Sequence, residues 1–327
     1  QHFKIVSEAG GTLNGSTNRD RTNYYETVPS NQVEKMLWLE ADRMGFLLDA
    51  VTQQKFEIQR STVKNERGQN YDNRPYGLLG EVSAKNLYPY GHPYSWLTIG
   101  YIEELNRVNV NDLKNFFLRW YGPNNATLTV GGDVNPAQIV KWVEKYFGSI
   151  PRGPEVVPVK LEPVKLDQDR YVSYTDNYAR AAQLRLVYPT VRDYDKDEAA
   201  LSCLAQVLGG GGGGGRGGRG GGGGGNRNSV LYQTLIKTQK ALSASASNQA
   251  SELAGEFAFS VTPYPGKNLA EMEALIKEAL TEFEKRGVTD EDVEQFKTQF
   301  EARTINGLAS VSGKVSQLAA FQTFTGN

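Results

Sequence analysis

The chain has a single cysteine, Cys203, which excludes an intramolecular disulfide and any thiolate zinc cluster. Two histidines, His2 and His92, cannot form an all-histidine metal centre, so a metal held by these residues alone would be short of ligands. No apolar run reaches the ~18 residues of a membrane-spanning helix. Net charge is also missing: 36 basic residues stand against 37 acidic ones, leaving no field that would by itself draw nucleic acid or an anionic membrane. Partners must therefore be argued from local sites. The 327 residues are enough for two domains of roughly 150 residues, each able to bury a core.

The apolar periodicity places the elements. Gln1 to Ala9 reads as the end of a helix stopping at Gly10-Gly11, so the chain reads as starting inside a longer protein. Thr12 to Tyr25 reads as a hairpin turning near Asn18-Arg19-Asp20. Ser30 is expected to cap a helix to Val51 whose stripe is Val33, Leu37, Met44 and Leu48. A second helix is expected from Gln53 to Asn70, then an irregular stretch from Tyr71 to Thr98. Helices follow at Ile102 to Asn106 and Val110 to Trp120, a strand at Asn125 to Val130, and a helix capped by Asn135 and ending at Phe147.

Four prolines between Pro151 and Pro163 mark an extended linker. Beyond it the pattern predicts strands at Arg170 to Thr175, Ala182 to Tyr188, Leu242 to Ser247 and Glu256 to Thr262. Helices are expected at Asp195 to Leu208, at Leu269 to Arg286, and from Thr289 through Phe296, Phe300 and Ile305. The order of strands and helices is similar in both halves, as a diverged duplication would make it. From Gly209 to Gly225 every residue but Arg216 and Arg219 is glycine; such a run has too much backbone entropy for a packed element and reads as a loop. It lacks the aromatics of a nucleic-acid stacking platform and the Lys-Ser/Thr of a phosphate loop.

Within the helix from Gln53, Gln59 and Glu66 are seven positions apart and share a face, whereas Glu57 points away from Glu66. Taken alone, Glu66 is an ordinary solvated charge and His92, in YPYGHPYSW, a loop histidine with a structural hydrogen bond.

The surrounding phrases add to this. GGTLNGSTNRDRTNYYETVP, LWLEADRM, VKNERGQNYDNRPYG, YGHPYSWLTIGYIEELNRV and FFLRWYGPNNATLTVGGDV occur in this order. Together they resemble the pitrilysin/insulinase family of zinc peptidases, in particular the bacterial relatives of the mitochondrial processing peptidase. The second half resembles the family's second homologous domain through LRLVYPTVRDYDKDEAALSCLAQVLGG and SVLYQTL. The resemblance implies an α+β fold of two homologous domains, each a mainly antiparallel sheet with helices on one face. Residues 1–150 would form the zinc-bearing domain, 151–168 the Pro-rich linker, and 169–327 the second domain with its glycine-rich loop at 209–225.

In that family zinc is held by an inverted H-x-x-E-H motif and a more distal glutamate, and the motif's own glutamate activates the bound water. By its place in VKNER, Glu66 corresponds to the distal ligand. The inverted motif would then precede Gln1, so the general base is expected outside this chain and no catalytic residue within it. The implied cofactor is Zn2+. The resemblance also assigns Thr12, Leu13, Asn14, Gly15 and Ser16 to an edge strand to which an extended peptide adds through backbone bonds.

Two departures stand out. Many family members carry a glutamate where this chain has Gln59, and their second domain supplies an arginine and a tyrosine where Ile236 and Ser243 stand here; Tyr232 and Arg227 lie nearby but do not match those positions. A homologous partner, either a second subunit or a later part of one longer polypeptide, is expected to supply that pair. The implied activity is endoproteolysis of unfolded peptides in an enclosed chamber, in the bacterial periplasm or cell envelope, with no nucleic-acid partner. The competing reading is a non-catalytic scaffold or substrate-capture subunit.

Overall fold

The computed structural model describes residues 2–209 and 227–326. All but one residue of the glycine-rich stretch therefore lies outside the described residues; Gly209 ends a helix. In chain order the elements are α1 (His2–Glu8), β1 (Thr12–Thr17), β2 (Thr22–Thr27), α2 (Val33–Phe46), α3 (Gln53–Arg67), α4 (Leu79–Leu87), α5 (Ile102–Arg107), α6 (Val110–Trp120) and α7 (Pro136–Phe147). They continue with β3 (Leu184–Thr190), α8 (Glu198–Gly209), β4 (Ala241–Ala250), β5 (Gly255–Pro263), α9 (Leu269–Arg286), α10 (Asp290–Leu308) and α11 (Val311–Thr325). Two compact units result, each assembled from separate stretches of chain.

One unit comprises Gln1–Glu66, Thr98–Pro158 and Ala302–Asn327. As the glycine pair predicts, α1 stops before Gly10, which adopts φ 74°, a backbone region that costs glycine little. Gly11 then passes so close to β2 that an added Cβ would lie 2.4 Å from Val28 Cγ1. β1 and β2 pair antiparallel from Thr12↔Thr27 to Thr17↔Thr22. Asn18 closes the turn between them by accepting the Asp20 and Arg21 amides on its side-chain oxygen. Val6, Ala9, Met36 and Leu39 form the core beneath the hairpin, with Leu13 and Val28 against it.

Several expectations need correction in this unit. Ser30 begins a short 3-10 turn and does not cap α2, whose preceding residue, Gln32, makes no capping bond. The buried face of α2 is Met36, Leu37, Leu39 and Ala41, so the expected stripe is displaced around the helix. Leu37 belongs to both sets; which face is buried is set by the surface that α2 packs against and not by apolar spacing alone. Asn125 to Val130 forms no strand, because no neighbouring strand among the described residues offers ladder partners. By contrast, α6 and α7 begin where expected: Asn109 and Asp112 make a reciprocal capping box, and Asn135 accepts the Gln138 amide.

The other unit comprises Arg67–Leu97 and Val159–Glu301. Its sheet has the order β3-β5-β4 with both pairings antiparallel. Central β5 is buried on both faces. Phe257, Phe259 and Val261 meet α8 and α9 through Ala205, Leu208, Met272, Leu275 and Ile276. The cluster of Ala84, Leu87, Tyr88 and Tyr94 gathers Val187 and Ala254. Gly209, the last residue of α8, has no room for a side chain, since an added Cβ would fall 1.8 Å from the Ala246 amide nitrogen. The stretch from Tyr71 to Thr98, expected to be irregular, contains α4, and Arg170 to Thr175 is not a strand. Both differences arise because short segments take their structure from the surface they meet rather than from propensity. The architecture is α+β with antiparallel sheets, as the sequence implies.

Candidate functional site

β1 presents the residues assigned to peptide binding. Thr12, Asn14, Gly15 and Ser16 are exposed, and Leu13 is half-buried over the core. Among the described residues β1 has a strand partner, β2, on one side only. An edge strand of this kind can accept a further strand through its outward N–H and C=O groups. Asn14 turns its side-chain oxygen back onto the Gly15 amide at 2.8 Å, and Arg21 binds both the carbonyl and hydroxyl oxygens of Ser16. These bonds hold the far end of the hairpin in register.

Glu66 lies in the last turn of α3, exposed, on the same face as exposed Gln59. Among the described residues no hydrogen bond or ion pair engages its carboxylate. Glu57, on another face, is taken up by Arg60 at 2.9 Å and Gln53 at 2.7 Å. Lys64 bonds Asn106 at 2.9 Å, and Arg60 donates to the Val108 carbonyl, so α3 is tied to α5 and the turn after it. The next residue, Arg67, is 5% exposed and pairs with Glu81 at 2.8 Å and Asp72 at 3.3 Å; the helix then widens into a π-turn over Gly68–Asp72. Among the described residues no three His, Cys, Asp or Glu side chains come together to hold a metal. The described residues therefore do not fit zinc by themselves.

The structure also brings together groups that no expectation singled out. Glu40 of α2 is clasped by Arg43, whose Nε and Nη2 donate at 3.1 and 2.5 Å to Oε2. The Arg43 guanidinium lies 3.8 Å above the Tyr24 ring of β2, and the Tyr24 hydroxyl meets that of Tyr121 at 3.4 Å. Burial, then the Tyr121 bond, push Tyr24 up to about 12. On β2, burial, then the charge of nearby Glu40, push the Glu26 carboxyl up to about 8. Burial would also raise Glu40, but the bond and charge of Arg43 outweigh it and hold Glu40 below the usual carboxylate range. The signal was present in the sequence, since the phrases NYYE and LWLEADRM carry four of these groups. Their meeting depends on how β2 lies against α2.

Ile236 and Ser243, expected to stand where the family carries an arginine and a tyrosine, both have structural surroundings. Ile236 ends a π-turn and packs against the core of its unit, and Ser243 pairs with Thr262 in the sheet. Tyr232 opens the same π-turn, and the Arg227 carbonyl accepts from Gln233. His92 is buried, stacks on Tyr88 at 4.7 Å and accepts the Tyr94 amide on Nδ1 at 3.0 Å, which is the structural role expected of it.

Residues 107–300 match the family described as the peptidase M16 inactive domain, which covers more than half of the chain. The chain belongs to the M16, or pitrilysin, family. Zinc protease PqqE of Helicobacter pylori is 30% identical over 315 residues, covering 94% of this chain and 66% of that protein. The mitochondrial-processing peptidase subunit beta of Caenorhabditis elegans is 28% identical over 170 residues, covering 50% of this chain and 36% of that protein. The chain thus spans less than two thirds of the length of each. A protease crystal structure from Helicobacter pylori superposes with a TM-score of 0.82 at 24% identity, covering 98% of this chain and 74% of that one; this likeness concerns the fold. The M16 match is to a domain described as inactive, and the described residues of this M16 chain include no helix long and apolar enough to cross a membrane.

Proposed function

We propose that this chain is part of a zinc-dependent endopeptidase that hydrolyses unfolded peptides in an enclosed chamber. Its family domains would be 1–150 and 169–327, joined by 151–168. In this reading Thr12, Leu13, Asn14, Gly15 and Ser16 bind the peptide as an added strand. Glu66 is one zinc ligand, and the two imidazoles and the general base come from an H-x-x-E-H segment outside these 327 residues. The metal, when bound, would supply an activated water and polarise the scissile carbonyl. This chain's own task is to present a carboxylate and to align a backbone. Glu66 carries the reading, being an ionisable side chain left outward and unengaged while its neighbour Arg67 is buried and paired.

Because Ile236 has no side-chain donor and the Ser243 hydroxyl has neither an arginine's charge nor a tyrosine's reach, the complete enzyme needs those groups from a homologous partner or from a later part of one polypeptide. The relative named as a processing-peptidase subunit supports such a division. The resemblance to bacterial members favours the periplasm or cell envelope as the compartment.

A second reading, a non-catalytic scaffold or substrate-capture subunit, is favoured by the match to the inactive domain. Zinc content and peptide cleavage, measured in the full-length protein and its Glu66→Gln variant, separate the two. The enzyme reading expects bound zinc that falls sharply in the variant, together with lost cleavage. Full-length protein without zinc or cleavage supports the scaffold, and unchanged zinc in the variant removes Glu66 from the ligand set.

A further inference from the structure

Gly15 stands in the middle of β1, directly opposite Tyr24 of β2. Along an antiparallel pair, residues that exchange ladder bonds alternate with close pairs whose backbone groups face away from the partner strand. At the closed end of the hairpin the Asn18 amide donates to the Arg21 carbonyl at 3.0 Å, so in the observed register Ser16 with Asn23 and Asn14 with Tyr25 are the bonded pairs. Gly15 and Tyr24 are the close pair between them, and the amide and carbonyl of Gly15 therefore point to the open side of β1. In keeping with this, the Gly15 amide donates to the Asn14 side-chain oxygen at 2.8 Å.

Tyr24 bears on this glycine. A Cβ added at Gly15 would lie 3.5 Å from Tyr24 Cδ1 and 3.8 Å from Cε1, so the ring covers the place where any other residue would carry its side chain. The ring is itself held twice. Arg43 lies 3.8 Å from its centroid while bonding Glu40 of the same helix, and the Tyr24 hydroxyl meets that of Tyr121, whose ring stacks on Phe117 of α6 at 4.8 Å. Glycine weakens a strand through its backbone freedom, and an aromatic ring laid across it from the neighbouring strand restores order.

We propose that Tyr24 is a positioning residue for strand addition: fixed by Arg43 and Tyr121, its ring holds the Gly15 backbone extended, with the outward amide and carbonyl set for a guest peptide. An arriving guest carbonyl replaces the Asn14 oxygen on that amide, one hydrogen bond for another. Tyr24 acts on the guest through Gly15. The proposal rests on the reading of β1 as the guest-bearing strand, and its test involves neither zinc nor cleavage.

The experiment uses the full-length protein kept free of zinc with a chelator, so that a peptide probe is bound without being cut. NMR of protein carrying carbon-13-labelled glycine follows the two α-hydrogens of Gly15, identified by the signal lost in Gly15→Ala. One of them takes the direction of the missing Cβ and faces the ring. Their shifts should lie far apart in wild type and in Tyr24→Phe, which keeps the ring and its stack on Arg43. They should converge in Tyr24→Leu, and in Arg43→Lys, which keeps the charge beside Glu40 but has no plane to stack. Binding is read by fluorescence anisotropy with a short fluorescein-labelled peptide of alternating threonine and lysine. The same peptide N-methylated at every residue, with no amide hydrogen to give to a strand edge, is the comparison. A cross-strand aromatic contact is worth at most about fivefold in an equilibrium, so Tyr24→Leu and Arg43→Lys should each weaken the unmethylated peptide by about fivefold, and Tyr24→Phe by about twofold or less. Alike Gly15 hydrogens in wild type, or variants that bind within about twofold of wild type and still reject the methylated peptide, overturn the role of Tyr24 and leave β1 as the guest strand. Wild type that binds both peptides equally, or neither, removes β1 as the guest strand and the proposal with it.

Discussion

The Leu253 amide donates to the Tyr94 hydroxyl at 3.0 Å across 159 positions of sequence, and Tyr94 is fully buried. This bond fastens the YPYGHPYSW segment to the turn between β4 and β5, within a cluster that also holds Tyr88 and stacked His92. Tyr94→Phe keeps the ring and leaves a backbone amide without its acceptor. We expect a loss of about 1–3 kcal/mol, read as a lower urea midpoint at unchanged slope.

A larger loss is expected from Arg67→Met. The guanidinium is nearly buried and neutralises Glu81 and Asp72, whose side chains are 17% and 34% exposed. Removing the cation leaves two carboxylates without this partner, one of them poorly solvated, so the cost should be roughly 3 kcal/mol. A double variant that also carries Glu81→Gln should recover part of it, and a cycle of the four proteins measures how much.

Gly11→Ala tests how tightly β1 is set. The added methyl would meet Val28 Cγ1 at 2.4 Å and the Thr27 carbonyl oxygen at 2.6 Å, and backbone oxygen cannot rotate away. A destabilisation of about 1–3 kcal/mol is expected, with hydrogen exchange rising in residues 12–27 and not in α9.

Global stability should also depend on Glu26 with a definite sign. In the unfolded chain its carboxyl loses the proton near its ordinary 4.5, whereas in the folded protein it keeps it to about 8. Between these values the unfolded state binds fewer protons, so stability falls as pH rises through this window and levels off above it. The difference in urea midpoint between Glu26→Gln and wild type should therefore grow in the variant's favour from pH 5 to pH 8. A difference that is constant across this range would refute the assignment.

Much of the local structure was legible. The Gly10-Gly11 stop, the hairpin, the Asn109 and Asn135 caps and the bounds of α9 follow from glycine's access to positive φ, from side-chain oxygens that bond helix amides, and from period. The strands expected at Asn125 to Val130 and Arg170 to Thr175 did not form, since a strand exists only where another strand faces it. α4 was missed for a related reason, because its helix is short and its Ala84 and Leu87 gain their burial from chain far away.

The order of residues alone determined the family resemblance, the identity of Glu66 as the one carboxylate at that motif position, and the near-neutral charge, because these depend only on which residue stands where. Tertiary structure alone decided that Glu66 faces outward while Arg67 beside it is buried, and that Glu26 comes within range of the Glu40 charge. Solvation and carboxyl–carboxyl repulsion act through distances of a few ångströms, and such distances between remote residues are set only when strand and helix pack.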